Sequence, residues 1–163
     1  MVKVGATALA VVLLSSCGAS RTAPRSGASP TQVPVLKVTD GDTIHVLYGG
    51  HDERVRLIGI DTPEVPWYGG HGQCFGVQAA RYMRGRLNHG SVRLTFDAEL
   101  RDRYDRLLSY VYLGRELVNL TLVEMGFATA DPVPPNTRME SVFAAAEARA
   151  REHRRGLWGR CSG

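Results

Sequence analysis

Five short runs rich in β-branched and aromatic residues follow one another along the chain: VLKV (35–38), TIHVLY (43–48), RVRLIGI (54–60), SVRLTF (91–96) and LLSYVYL (107–113). Gly, Asp or Asn bounds them, so each predicts a strand rather than part of a longer helix. Between the first two lie Asp40, Gly41 and Asp42, where the glycine predicts a positive φ and a tight hairpin, and Gly49 with Gly50 makes a second turn. The first three strands are therefore expected to form a meander.

Helical periodicity appears in three places. Val77 to Leu87 aligns Ala80, Met83 and Leu87; Leu117 to Met125 brings Leu117, Leu120, Val123 and Glu124 into adjacent turns; Met139 to His153 aligns Met139, Val142, Phe143, Ala146 and Ala150. These stripes predict core contacts, not cofactor boxes. Asn136 or Thr137 is the expected N-cap of the last helix, with Glu140 completing a capping box and Gly156 as its stop. A chain of 163 residues holds one well-buried core. The set of elements predicts an α+β fold, a five-stranded OB-fold β-barrel with about three α-helices.

The first segment reads differently. Lys3 supplies a positive n-region and Ala6 to Leu14 an apolar stretch, too short to cross a bilayer, so residues 1–16 are expected to be a signal peptide. Leu14, Ser15, Ser16 and Cys17 resemble a lipobox, which predicts lipidation of Cys17 and anchoring at the extracytoplasmic face of a bacterial cell membrane; a secreted protein with an incidental Cys17 is the alternative. Residues 17–33, rich in Gly, Ala, Ser and Pro, are expected to be a disordered tether, with the folded domain at 34–163. In an oxidising compartment Cys74 and Cys161 make an even pair and are expected to form a disulfide, against two free buried thiols as the plainer reading. The net charge of +4 allows an anionic partner and says no more.

Asp42 follows the first hairpin turn, Asp40 lies two residues before it, and Asp61 ends the third strand. Carboxylates gathered at strand ends make a hard oxygen site, suited to Ca2+ with two or three protein ligands and several waters. No His or Cys cluster has zinc spacing, and the scattered His45, His51, His71, His89 and His153 are given no catalytic role. Taken alone, the Asp-Gly-Asp stretch reads as a solvated turn. Arg56, however, sits within an apolar strand, where a permanent charge needs an anion or a carboxylate beside it, and Arg106 stands at the entry to LLSYVYL. Two guanidinium groups next to a carboxylate-held cation make a phosphate clamp. Glu64, three residues past Asp61 and across Pro63, is placed to act as general base on a water. Arg56 and Asp61 are five apart and would face opposite sides of a regular strand, so a bulge at Gly59 is predicted.

DGDT (40–43), VRLIGIDTPE (55–64), CFG with QAA (74–80), RDRYDRLLSYVY (101–112), VNLTLVEMGFA (118–128) and PPNT (134–137) together resemble the staphylococcal nuclease family, in order and at its spacing, from about Val35 to Trp158. The resemblance implies a calcium-dependent, sugar-nonspecific nuclease that hydrolyses DNA and RNA and leaves 3′-phosphates. It implies Asp42, Asp61 and the Thr62 carbonyl as calcium ligands, Asp40 on the surrounding water shell, Arg56 and Arg106 on the phosphate, Glu64 as general base and Tyr104 near the bound phosphate. No obligate protein partner is expected, and the chain is expected to be a monomer. In one respect it departs from the family: ATADPVPPNT (128–137) has no aromatic residue, and VPWYGGHGQ (65–73) offers Trp67 and Tyr68 as a substitute stacking platform, with a Gly-rich surface loop as the simpler reading. A non-catalytic nucleic-acid-binding OB-fold module is the alternative, and an envelope protein binding a carbohydrate or a partner protein is a third reading. Retention of the carboxylates and arginines favours the enzyme.

Overall fold

The computed structural model describes residues 32–66 and 71–161, together with Met1. Residues 1–16 beyond Met1, Cys17, most of the tether, and Trp67 and Tyr68 lie outside the described residues. The strands are β1 (Gln32–Val38), β2 (Thr43–Tyr48), β3 (His51–Leu57), β4 (Gly59–Asp61), β5 (Ser91–Thr95), β6 (Leu107–Leu113), β7 (Glu116–Leu117) and β8 (Thr129–Asp131). The helices are α1 (Gly76–Leu87), α2 (Val118–Glu124), α3 (Glu140–Glu152) and the single turn α4 (Leu157–Arg160).

β1, β2 and β3 form the antiparallel meander, with Ile44 opposite Val55 and Val38 opposite Ile44. β1 shifts register between Val35 and Lys37, and its first half leaves β2 to pair with β5. A bulge of this kind sharpens the local bend and lets one strand serve two sheets. β5 pairs with β6, and β6 closes on β3 in parallel, Arg56 opposite Leu108. Five strands thus form a closed barrel without an open edge, and β7 extends β6. This is the predicted α+β OB-fold.

Inside the barrel Ile44, Val46, Val55, Leu57, Val92, Leu107 and Val111 are buried. Met83 and Leu87 of α1, Leu122 and Val123 of α2, and Phe143 and Ala146 of α3 join the same core. Each large aliphatic or aromatic side chain so buried contributes roughly 1.5–3 kcal/mol before entropy is charged against it. The Cys74–Cys161 disulfide, with Cα atoms 5.8 Å apart, ties the start of α1 to the turn of α4.

Several details depart from the sequence reading. Gln32 and Val33, assigned to the tether, belong to β1, because buried Val33 faces Val92 across the sheet. Gly41 is not among the glycines with positive φ; it is needed because a Cβ there would lie 2.6 Å from Thr62 Oγ1. The capping box does not form: Met139 caps α3 with no side-chain bond, and Asn136 uses its amide on the backbone of Glu99. α3 ends at Glu152, and Gly156 begins α4 instead of stopping α3. Val142, placed on the buried stripe, is exposed.

The third predicted strand is two strands. β3 stops at Leu57, Ile58 lies between, and β4 starts at Gly59 with φ 77°. A Cβ on Gly59 would also meet the Phe143 ring at 2.6 Å, so the position requires glycine for conformation and for space. The Ile58 backbone remains satisfied at this break. Its N–H donates to the Ser109 carbonyl at 3.1 Å, and its carbonyl accepts from the buried Asn119 amide at 2.9 Å. Past the break β4 leaves the barrel and pairs with β8.

Candidate active site

The break at Ile58 and Gly59 brings Arg56 and Asp61 to the same side. One terminal nitrogen of Arg56 lies 2.7 Å from Asp42 Oδ2 and the other 2.8 Å from Asp61 Oδ1. Arg56, which the sequence showed needing an anion or a carboxylate, therefore has two carboxylates. Asp42 is buried, and its Oδ2 also accepts from the Thr62 N–H at 2.9 Å and the Thr62 hydroxyl at 2.7 Å. Its Oδ1 accepts from the Thr43 hydroxyl at 3.2 Å. Asp40 shapes the turn, accepting through Oδ1 from the N–H groups of Asp42 at 3.1 Å and Thr43 at 2.7 Å. Asp40, Asp42, Asp61, Thr62 and Arg56 thus form one cluster at the barrel mouth.

Arg106 and Tyr104 come from the loop before β6 and share a groove of about 390 Å3 with Arg56, Asp102, Asp131 and Asn136. Asp102 holds the loop in shape, accepting from the backbone N–H of Tyr104 at 2.9 Å and of Arg106 at 3.0 Å, and from Arg106 Nε at 2.7 Å. Burial works against the Asp102 charge, yet these donors together hold its carboxyl below the usual carboxylate range. Both terminal nitrogens of Arg106 stay uncommitted among the described residues, and its guanidinium lies 5.5 Å from the centre of the exposed Tyr104 ring. A fork with two free donors beside an aromatic face fits a phosphate group.

Glu64 stands apart. It is exposed beyond Pro63, does not line the groove, and its carboxylate makes no hydrogen bond or ion pair among the described residues. The sequence reading singles out Tyr104 and Arg106 in RDRYDR and not Asp102. The one signal available was the i, i+4 spacing of Asp102 and Arg106.

The donor set fits a hard cation. Burial raises the Asp40 carboxyl above its ordinary range, with the Asp42 charge adding to the effect. Partial desolvation raises Asp61, and Asp42 and Asp131 reinforce it against the pull of Arg56. Three crowded carboxylates against one guanidinium leave a negative excess that a divalent ion would relieve. Among the described residues no group of three or more His, Cys, Asp or Glu side chains is close enough to hold a metal unaided. Such an ion would rest on Asp42, Asp61, backbone oxygen and water.

Fold and site together define a small OB-fold barrel carrying an acidic cluster and a phosphate-shaped guanidinium fork at one mouth. The family model described as staphylococcal nuclease homologue matches residues 54–160. A thermonuclease of Staphylococcus intermedius is 40% identical over 126 residues, 77% of this chain and 75% of that protein. A thermonuclease of Staphylococcus hyicus is 33% identical over 150 residues, 92% of this chain and 89% of that protein. Endonuclease YncB of Bacillus subtilis is 35% identical over 128 residues, 77% of this chain and 61% of that protein. The chain belongs to the staphylococcal nuclease homologue family.

Proposed function

We propose that the chain is a calcium-dependent nuclease that hydrolyses phosphodiester bonds of DNA and RNA and leaves 3′-phosphates. The observation that carries this reading is that Arg56, paired with Asp42 and Asp61, lines the same groove as Arg106, whose two terminal nitrogens are uncommitted among the described residues. Family membership, and relatives that are a thermonuclease and an endonuclease, support a nuclease activity.

In this reading the Arg106 fork binds two non-bridging oxygens of the scissile phosphate, and the Arg56 guanidinium adds positive charge from the other wall. Asp42, Asp61 and the Thr62 carbonyl would hold calcium, which would supply further neutralisation of charge on the phosphate. Asp40 holds the turn that carries Asp42. Tyr104 gives the substrate an aromatic wall. Glu64 takes one proton of a water that attacks phosphorus; the P–O5′ bond breaks with its electron pair going to O5′, which takes a proton from solvent water, and a 3′-phosphate and a 5′-hydroxyl remain.

We further propose a monomer exported behind the 1–16 leader and lipid-anchored through Cys17 at the extracytoplasmic face. The Cys74–Cys161 pairing is consistent with an oxidising compartment. Trp67 and Tyr68 remain the proposed stacking platform.

Purified protein incubated with single-stranded DNA tests the reaction. Cleavage in calcium that a chelator stops, giving ends that phosphatase treatment makes extendable, is expected. Binding of DNA without cleavage under calcium would establish the non-catalytic module instead.

A further inference from the structure

The loop 64–73 is tied together at its feet. The Glu64 N–H donates to Gln73 Oε1 at 2.8 Å, and the Gln73 N–H donates to the Glu64 carbonyl at 2.8 Å. The Gln73 carbonyl accepts from the Gly76 N–H at 3.2 Å, where α1 begins. A Cβ on Gly76 would collide with the Glu64 carbonyl and lie 2.6 Å from that of Pro63, so α1 starts flat against this backbone.

The residue after Gln73 is Cys74, and its bridge to Cys161 leads to α4. α4 is pinned in turn to the end of α2, since the Leu157 N–H donates to the Gly126 carbonyl at 2.9 Å. A continuous covalent and hydrogen-bonded route therefore runs from the body of the domain, through the bridge and Gln73, to the backbone of Glu64. The Glu64 carboxylate itself is free of partners among the described residues.

We propose that Gln73 is a positioning residue for Glu64, anchored by the Cys74–Cys161 bridge. This rests on the hydrolytic reading above. Glutamine suits the task because its Oε1 accepts the Glu64 N–H. Displacement of a catalytic group by about 1 Å costs on the order of a hundredfold in rate, so loosening this foot should reduce turnover without weakening substrate binding.

The test measures kcat and KM on single-stranded DNA in calcium for the unmodified oxidised protein, Gln73→Met and Gln73→Glu, with thermal melts of each. Methionine keeps the length and removes the acceptor; glutamate keeps the acceptor. Gln73→Met is expected to lower kcat roughly tenfold or more at unchanged KM and melting temperature, and Gln73→Glu to restore most of it. A small dithiol forms the second arm. It gives two electrons and two protons to the bridge, leaving two cysteine thiols and its own cyclic disulfide. Reduction should lower kcat of the unmodified protein while adding little to the Gln73→Met loss, because both act on one route. A Gln73→Met kcat within twofold of the unmodified protein overturns the proposal, as does a loss that tracks a fall in melting temperature. Amide exchange at Glu64 reads the clamp without turnover: faster exchange in Gln73→Met supports it, and unchanged protection overturns it. Absence of cleavage by the oxidised, unmodified protein would instead remove the hydrolytic reading beneath it.

Discussion

The acid cluster and Glu64 are held in opposite ways. Asp42 and Asp61 each pair with Arg56 at or beside strand ends, and Asp42 is buried with the Arg56 guanidinium and three hydrogen-bond donors on its two oxygens. Among the described residues Glu64 has only its backbone fastened, through Gln73, outside the barrel. Groups that bind charge are preassembled by the fold itself, where rigid strand ends hold them against mutual repulsion. The group proposed to move a proton keeps a free carboxylate and depends on a crosslink for its place. The same substitution should therefore have different consequences in the two regions.

The largest effect is expected at the free fork. Arg106→Ala should lower cleavage about 10²- to 10³-fold, the cost of removing one preorganised donor from a developing charge. Asp102 would still accept the backbone N–H groups of Tyr104 and residue 106, so the thermal melt should barely move. Single-turnover cleavage beside the melt checks both halves. Asp42→Ala should act on stability first, by about 3–5 kcal/mol in urea unfolding, because it strands Arg56 without a buried partner and takes the acceptor from Thr62. Glu64→Ala should cost less than about 0.5 kcal/mol in the same experiment while reducing cleavage. Equal destabilisation by the two would break the contrast.

A smaller effect follows at Gly41, where the added methyl of Gly41→Ala would press on Thr62 Oγ1 and push the first turn off β4. Roughly 1–3 kcal/mol of stability should be lost, together with some cation affinity, as calorimetric titration would show. The smallest effect lies on the barrel wall. Arg101 grips Glu53 through two bonds, 2.9 and 2.8 Å, and holds the Glu53 carboxyl below its ordinary value of 4.5. A depressed carboxylate contributes stability above its unfolded value, and the contribution disappears as pH falls through the folded one. The melting difference between the unmodified protein and Glu53→Gln should thus be small at pH 6 and shrink as the pH drops below 4.5.

What the sequence made legible follows from which physical constraints leave a trace in residue type. β2 and β6 coincide with their predicted limits because turn residues flank each apolar run. Arg56 announced its carboxylates because a charge in an apolar strand must be compensated, and the parity of Arg56 and Asp61 pointed to Gly59 before any geometry was known. β7 and β8 went unseen, since two or three residues carry no periodicity. Asn136 looked like a helix cap, yet the same amide is consumed by Glu99, a partner 37 positions away. Gln73 acts on a backbone N–H group, which every residue has, so nothing in its neighbours marks it, and Asp102 is marked by no more than its i, i+4 spacing to Arg106.

The central claim is that the carboxylates at the barrel mouth hold the cation on which cleavage depends, and Asp61→Asn tests it most directly. Asp61 is exposed and contributes one ion pair, so the variant should fold. Cleavage of single-stranded DNA measured against calcium concentration should show a calcium requirement in the unmodified protein and a midpoint raised at least about tenfold in Asp61→Asn, in keeping with a site of few protein oxygens. Superimposable calcium curves for the two proteins, or cleavage indifferent to calcium in both, would contradict the account.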